Sequence, residues 1–266
     1  MPVKIYGTLG PACEKTEILE EMFSLGMTGA RLNLSHIALP QAALEKIRPS
    51  QELLLDDGKL LLTAVRGGKA HVNRGGILHS RKSLALPGQE IRLPALTETD
   101  LKNIAVAKDY GVTGLMQPFV RSREDLEAVR QALDAAGCGH IRLFAKIENR
   151  EGMERLPELL DACDEIVIAR GDLGNAMPLW ELPAAQKTIA ARCREAGRDF
   201  MVVTQMLASM EQNPVPTRAE VSDIYNAVLD GAASVMVTGE TAVGKYPAEA
   251  IRYLANTVRQ AEMRQD

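Results

Sequence analysis

The chain has 266 residues, enough for one large domain but too few for a second full domain beside it. Hydrophobic residues make up 46% and charged residues 25%, a balance that excludes a disordered or collagen-like chain. The formal net charge of -4 gives no general attraction for nucleic acid or anionic membranes. We therefore expect neither as a partner.

The predicted elements alternate between short apolar runs and longer amphipathic stretches. The predicted strands are 3–9, 30–34, 52–55, 114–120, 141–147, 165–169, 199–204 and 234–237. The predicted helices are 16–25, 41–47, 100–110, 123–135, 151–160, 183–196, 219–229 and 248–262. Continuously apolar strands separated by helices are typical of parallel pairing with both faces covered. Eight such units in this length predict an α/β fold, a TIM (β/α)8 barrel.

One long interruption, 56–96, separates the third predicted strand from the next helix. It contains several glycine turn signals and two short apolar runs, 60–65 and 70–72, which predict a small antiparallel β excursion after strand three. We expect the barrel to comprise 1–55 and 97–266, with 56–96 as a shortened, lid-like β insertion. A βα loop of a barrel lies on the face where active sites form, which favours a lid over a decorative hairpin.

The four cysteines and the N-terminal sequence bear on the compartment. Cys13, Cys138, Cys163 and Cys193 are far apart and show no CxxC spacing, which predicts buried, unpaired thiols rather than a disulfide framework or a zinc site. The N-terminal sequence lacks the plan of a signal peptide, and no apolar run approaches the ~18 residues of a membrane helix. These features predict a cytoplasmic protein.

Two neighbouring predicted strands end in residues suited to a metal site. Alternation places Lys146 and Glu148 on the same side of the fifth strand, and Asp172 follows the sixth within a glycine-containing turn. Two carboxylates with open positions for ligand oxygens suit Mg²⁺ or Mn²⁺. A simple salt bridge between Lys146 and one carboxylate is the structural alternative.

Three further predicted strands end in polar side chains. Arg31, Asn33 and Ser35 share one side of the second strand, where they could bind a carboxylate, a phosphate or a monovalent cation. Thr204 and Thr238 end the seventh and eighth strands. Their hydroxyls could bind substrate or relay protons; capping of the backbone is the alternative.

A helix start is predicted at Thr217, because Thr217 and Glu220 have the spacing of a capping box. A structural role accounts for that pair. Arg218 between them remains open, either as a surface charge or as an anion ligand.

Together these segments resemble the pyruvate kinase family. The resemblance is strongest over about 143–247, good over 4–36 and partial over 56–94. It is carried by Ala30–His36, Lys146–Asn149, Ala169–Gly174, Thr204–Leu207, Pro216–Glu220 and Thr238–Ala242.

The resemblance implies roles for the residues around a bound 2-oxo acid. Lys146 matches the lysine that stabilises charge during phosphoryl transfer and on the enolate. Glu148 and Asp172 match the ligands of a divalent metal, Mg²⁺ or Mn²⁺. The backbone of Arg170, Gly171 and Asp172 matches contacts to the substrate carboxylate.

It also implies roles on the other strand ends. The hydroxyl of Thr204 matches a further contact to the substrate carboxylate, and Arg31 matches a phosphate-facing arginine. Asn33 and Ser35 match ligands of K⁺. Thr238 stands where the family often has a serine implicated in proton delivery.

The sequence departs from the family after the third predicted strand. There the family has an Asp-Thr-Lys-Gly-Pro-Glu-Ile-Arg motif, whereas this chain has Leu53–Gly58. In one alignment Asp56 matches the motif's aspartate, a K⁺ ligand, and the motif's phosphate-binding arginine has no counterpart. In the alternative alignment Asp56 belongs to the lid remnant and the whole motif is missing. The lid is shortened, and the family's C-terminal domain has no counterpart in this sequence.

The sequence thus predicts an enzyme that binds phosphoenolpyruvate, pyruvate or a related 2-oxo acid through a divalent metal and stabilises its enolate. Phosphoryl transfer to or from a nucleotide is a separate hypothesis, because the residues that hold the nucleotide phosphates are the ones that differ. The alternatives are a metal-dependent aldolase, lyase or decarboxylase, and a non-catalytic barrel that senses a metabolite or binds a partner. A homodimer is the expected assembly.

Overall fold

The computed structural model describes residues 1–34, 47–56, 58–77, 84–87 and 94–264. The predicted site residue Ser35 lies outside these ranges, as does the helix predicted at 41–47 except for its last residue. Within the described ranges, no helix is both long enough and apolar enough to cross a membrane.

Eleven strands form two sheets in the described part of the chain. The strands are β1 (Lys4–Thr8), β2 (Gly29–Arg31), β3 (Glu52–Leu55), β4 (Leu60–Val65), β5 (Lys69–Arg74), β6 (Leu84–Ala85), β7 (Gly114–Gln117), β8 (Arg142–Ile147), β9 (Glu165–Ala169), β10 (Phe200–Val203) and β11 (Ser234–Val237). Seven of them pair in parallel, in the order β2-β1-β11-β10-β9-β8-β7. This is the order of consecutive units in a (β/α)8 barrel, so the predicted fold class is confirmed. Among the described residues, no strand joins β2 to β7.

Helices connect the parallel strands and cover their outer side. They are α1 (Thr16–Ser24), α2 (Glu98–Val106), α3 (Arg123–Ala135), α4 (Arg150–Glu154), α5 (Leu156–Leu159), α6 (Arg170–Asn175), α7 (Leu182–Glu195), α8 (Arg218–Leu229), α9 (Gly239–Ala242) and α10 (Pro247–Glu262). The main hydrophobic core lies between these helices and the sheet. The helix predicted at 151–160 is two short helices, α4 and α5, because Pro157 cannot donate a backbone hydrogen bond within a continuous helix.

The predicted third barrel strand has a different place in the structure. Glu52–Leu55 is a strand, but it pairs antiparallel with β4 and β6 in a separate four-stranded sheet of order β5-β4-β3-β6. Its assignment to the parallel sheet was therefore wrong. Four consecutive apolar residues fit a buried parallel strand and an antiparallel one equally well, and the following turn returns the chain against β3. The small sheet therefore begins at Glu52, four residues before the predicted insertion; the outer bounds of the two domains stay a prediction.

The inside of the parallel sheet has a middle layer of large apolar side chains. Phe144, Val167, Met201 and Met236 are buried together there, with Tyr6 packed beside them. The neighbouring strand β2 provides space for the Tyr6 ring. A Cβ atom at Gly29 on β2 would lie 2.5 Å from the Tyr6 ring, so only glycine fits at that position.

A polar layer closes the N-terminal end of the same strands. Glu165 is buried at the start of β9, accepts a hydrogen bond from the Ser234 hydroxyl, and forms an ion pair of 3.1 Å with Arg142. Burial raises the pKa of Glu165, and burial together with the Glu165 charge raises the pKa of Tyr6. The sequence analysis did not identify this layer.

Candidate active site at the carboxyl ends of the strands

The centre of the candidate site is the ion pair at the end of β8. The Lys146 Nζ atom lies 2.5 Å from Oε1 of Glu148, as strand alternation predicted. The Glu148 side chain is only 1% exposed, and its second oxygen accepts a hydrogen bond of 2.7 Å from the Phe119 backbone N–H. The salt bridge given above as the structural alternative is thus present, but it is buried and held from a neighbouring strand.

Phe119 is a residue that sequence reasoning missed. It follows β7 with a φ of +51°, a left-handed conformation that is uncommon for a bulky residue. That conformation presents its N–H to Glu148, and its side chain is exposed. A contact made by the backbone cannot be predicted from side-chain chemistry. The turn signal at Pro118 indicates only that the chain bends here.

Arg31 is the last residue of β2. Burial lowers the pKa of its guanidinium, and the charge of Glu148 acts in the opposite direction. Glu148 therefore interacts with two cations, with Lys146 in the ion pair and with Arg31 through its charge. Cations at the strand ends can attract an anionic ligand.

Arg170, Gly171 and Asp172 form the first turn of α6, directly after β9. Their backbone N–H groups belong to the start of this helix, and Asp172 supplies the acidic side chain of its first turn. A Cβ atom at Gly171 would lie 2.9 Å from the Thr204 methyl carbon, so the absent side chain lets β9 and β10 end in close contact. Predicted residues of the sixth and seventh strands are therefore brought together.

Thr238 follows β11 and is joined to a carboxylate that sequence reasoning did not single out. The Glu240 side chain is buried and accepts hydrogen bonds from the backbone N–H of Thr238 (2.7 Å) and of Leu207 (3.0 Å). The Thr238 hydroxyl lies 3.4 Å from the same Glu240 oxygen. Glu240 thereby links the loops that follow β10 and β11. Its position two residues after a predicted strand-end hydroxyl was the available signal.

The three residues implied as K⁺ ligands have different outcomes. Asn33 lies just beyond β2 and is exposed, whereas Ser35 lies outside the described residues. Asp56 is buried in the turn between β3 and β4, where its carboxylate lies 3.4 Å from Lys59. It therefore does not end a strand of the parallel sheet. This position agrees with the alternative alignment, in which Asp56 belongs to the lid remnant.

The donor set fits a divalent cation that shares its coordination with a ligand. In the described part of the chain, no group of three or more His, Cys, Asp or Glu side chains could hold a metal ion by itself. Glu148 and Asp172 offer two carboxylates at neighbouring strand ends, and a hard cation such as Mg²⁺ commonly takes one or two carboxylates and completes its shell with water and substrate oxygens. The chemistry of the site thus favours Mg²⁺ or Mn²⁺ over zinc.

Two predictions about other residues are confirmed. Thr217 and Glu220 form the capping box of α8, and Glu220 also accepts hydrogen bonds from the backbone and hydroxyl of Ser209. These bonds lower the pKa of the Glu220 carboxyl despite its partial burial. The four cysteines are unpaired and buried.

Comparisons with known proteins agree with the geometry. A family model described as pyruvate kinase, barrel domain, matches residues 37–251. Pyruvate kinase PKLR of Homo sapiens is 34% identical over 97% of this chain and 59% of its own length. A pyruvate kinase of Aeropyrum pernix is 35% identical over 96% of this chain and 69% of its own length, and one of Schizosaccharomyces pombe is 42% identical over 81% and 43%. The chain therefore spans only part of the length of these relatives.

Proposed function

Because the chain belongs to the pyruvate kinase family, we propose that it binds phosphoenolpyruvate, pyruvate or a related 2-oxo acid and stabilises the enolate. The observation that carries the proposal is the Lys146–Glu148 pair at the end of β8, whose carboxylate also acts on Arg31. A largely buried ammonium group is suited to an oxygen on which negative charge develops, because the reduced local dielectric strengthens the interaction.

The residues around this pair have complementary tasks in the proposal. Glu148 and Asp172 would hold Mg²⁺ or Mn²⁺, which supplies Lewis-acid polarisation of the keto oxygen when bound. The backbone N–H groups of Arg170, Gly171 and Asp172 would bind the substrate carboxylate, as the resemblance to the family implies. Lys146 stabilises the enolate oxygen, and the hydroxyl of Thr204 contacts the carboxylate. Thr238 holds a proton for delivery to the methylene carbon.

Phosphoryl transfer to or from a nucleotide belongs to the same proposal but has less support. Arg31 would contact the transferred phosphate, and Asn33 and Ser35 would contribute to a K⁺ site without Asp56. The pairing of β3 in the small sheet supports the alignment that lacks the family's third-strand motif and its arginine. Transfer requires the phosphates to be held in line and their charge neutralised. We therefore expect enolisation to be faster than phosphoryl transfer.

The absence of a counterpart to the family's third-strand arginine favours a metal-dependent lyase or decarboxylase as the second candidate. Such an enzyme needs the metal, the carboxylate site and a proton donor, but it needs no clamp for nucleotide phosphates. The site residues assigned above would serve this reaction without change. The two candidates differ in the bond that is broken on the way to the enolate.

Exchange of the pyruvate methyl protons tests the shared step directly. The protein is incubated with pyruvate and Mg²⁺ in deuterated water, and loss of the methyl proton signal is followed by NMR. We expect exchange in the wild type, its loss in Lys146→Met and Asp172→Asn, and its retention in Lys102→Met, which alters an exposed lysine on α2. No exchange and no metal-dependent binding of pyruvate would refute both enzymatic candidates and leave a non-catalytic barrel.

A second assay separates the two candidates. Pyruvate formation from phosphoenolpyruvate and ADP is measured in K⁺ and in Na⁺, and decarboxylation of oxaloacetate is measured in parallel. Nucleotide-dependent turnover faster than methyl exchange would contradict the expectation drawn from the missing arginine. Decarboxylation without transfer would favour the lyase reading.

A further inference from the structure

The backbone directly after β10 is held in an unusual conformation. Thr204 has a φ of +80° and Gln205 a φ of +55°. Left-handed φ values are rare for a β-branched residue because they strain the backbone, and they persist only where the surrounding structure holds the residue in place. The strain falls on the residue whose hydroxyl we propose as a substrate contact.

The Arg170 side chain holds this segment. Its Nε and Nη2 atoms donate hydrogen bonds of 3.1 and 2.7 Å to the Thr204 carbonyl oxygen. Its Nη1 atom lies 2.6 Å from Oδ2 of Asp223 on α8. The Arg170 side chain is 11% exposed and the Asp223 side chain 35%, so the guanidinium is largely shielded from water while the carboxylate is partly exposed. Hydrogen bonds from a charged donor are among the stronger ones in proteins, so these two bonds can hold the strained backbone in place.

Asp223 fixes the direction of the guanidinium. An arginine presents its donors in a planar fork, so an ion pair at Nη1 orients the donors at Nε and Nη2 as well. The Thr204 side chain is constrained from another direction by Gly171, which leaves just enough room for its methyl carbon. The hydroxyl of Thr204 therefore depends on a pair of residues 53 positions apart in the sequence.

We propose that Arg170 and Asp223 are positioning residues that hold Thr204 in its left-handed conformation and thereby aim its hydroxyl at the substrate carboxylate. The proposal rests on the proposed function for the identity of the ligand. Neither side chain touches the ligand in this account; both act through Thr204. An ion pair that merely joined α8 to the barrel would affect stability but not the threonine.

The first test uses a double-mutant cycle in the pyruvate exchange assay. We expect Asp223→Asn to raise the KM for pyruvate about tenfold, the value of one hydrogen bond, and Thr204→Ala to do the same. In the Thr204→Ala background, Asp223→Asn should have no further effect on KM. Asp223→Glu should restore most of the lost affinity. Full additivity of the two substitutions would overturn the proposal.

The matched control is Asp230→Asn, at the residue directly after α8. Asp230 pairs with Lys187 at 2.6 Å, the same separation as in the Arg170–Asp223 pair. We expect this variant to leave the KM unchanged. An equal rise in KM for both variants would show a general effect of losing an ion pair in or next to α8 and would overturn the proposal.

The second test is independent of any catalytic activity. Amide hydrogen exchange of Gln205 and Met206 is measured on protein without metal or substrate. We expect Asp223→Asn to accelerate exchange at these amides relative to the wild type and to Asp230→Asn. Unchanged exchange there would overturn the proposal, even if the enzyme is active. Faster exchange in a protein that does not enolise pyruvate would instead uphold the positioning of Thr204 and refute the proposed function.

Discussion

Replacement of Glu148 by glutamine tests the electrostatics of the site. Glutamine keeps an oxygen for the Phe119 N–H, but it removes the charge that faces Lys146 and Arg31. Removing one partner of a buried pair typically costs 3–5 kcal/mol. Because the Lys146 side chain is 15% exposed, water offsets part of this cost, and we expect a loss near the lower limit, about 3 kcal/mol.

The measurement is urea unfolding in EDTA, with Glu154→Gln as the control at an exposed position of α4. A second series adds Mn²⁺. A metal at 100 times its dissociation constant stabilises a folded protein by about 2.7 kcal/mol, and we expect this gain in the wild type and in Glu154→Gln only. A Glu148→Gln protein within about 1 kcal/mol of the wild type in EDTA would show that the pair is screened like a surface pair. An undiminished gain from Mn²⁺ would remove Glu148 from the metal ligands.

Three more substitutions give measurable outcomes. Gly171→Ala places a carbon 2.9 Å from the Thr204 methyl, so we expect a rise in the KM for pyruvate in the exchange assay; an unchanged KM would show that the threonine can move without consequence. Gly114→Ala places a carbon 2.7 Å from the Phe144 ring, and overpacking should lower the unfolding free energy by about 1–3 kcal/mol in urea, with no loss if the ring can shift. The Glu220 carboxyl has a lowered pKa, so its contribution is present above the ordinary glutamate pKa of about 4.3 and is lost as the pH falls through its folded value. Glu220→Gln should therefore cost about 1 kcal/mol at pH 7 and almost nothing at low pH; an equal cost at both pH values would contradict this account.

The sequence predicted the features that depend on local periodicity alone. Lys146 and Glu148 meet because residues two apart in a strand share a side, and no tertiary information is needed to see it. The helix at 123–135 was predicted to the residue because its apolar positions recur at helical spacing. The roles of the site residues remain predictions, since the structure gives their positions and not their ligands.

The sequence did not predict the features that depend on pairing between residues far apart in the chain. Glu52–Leu55 reads as a strand in either sheet, and only pairing with β4 and β6 decides between them. The Arg170–Asp223 pair joins residues on separate helices, and Phe119 contributes through its backbone conformation. Such contacts depend on the assembled fold, so neither composition nor spacing could reveal them.

The polar layer around Glu165 is a target for protein engineering. Arg142 and Lys146 lie on one strand, four residues and therefore about 13 Å apart, with Phe144 between them. That separation is too long for a direct contact between the two ends, and the buried apolar layer around Phe144 lies between them. The residues around Glu165 can thus be redesigned for thermal tolerance without replacing a residue of the candidate site. The two ends of the barrel are then separate design targets: the layer around Glu165 for thermal stability, and the strand ends around Lys146 for substrate specificity.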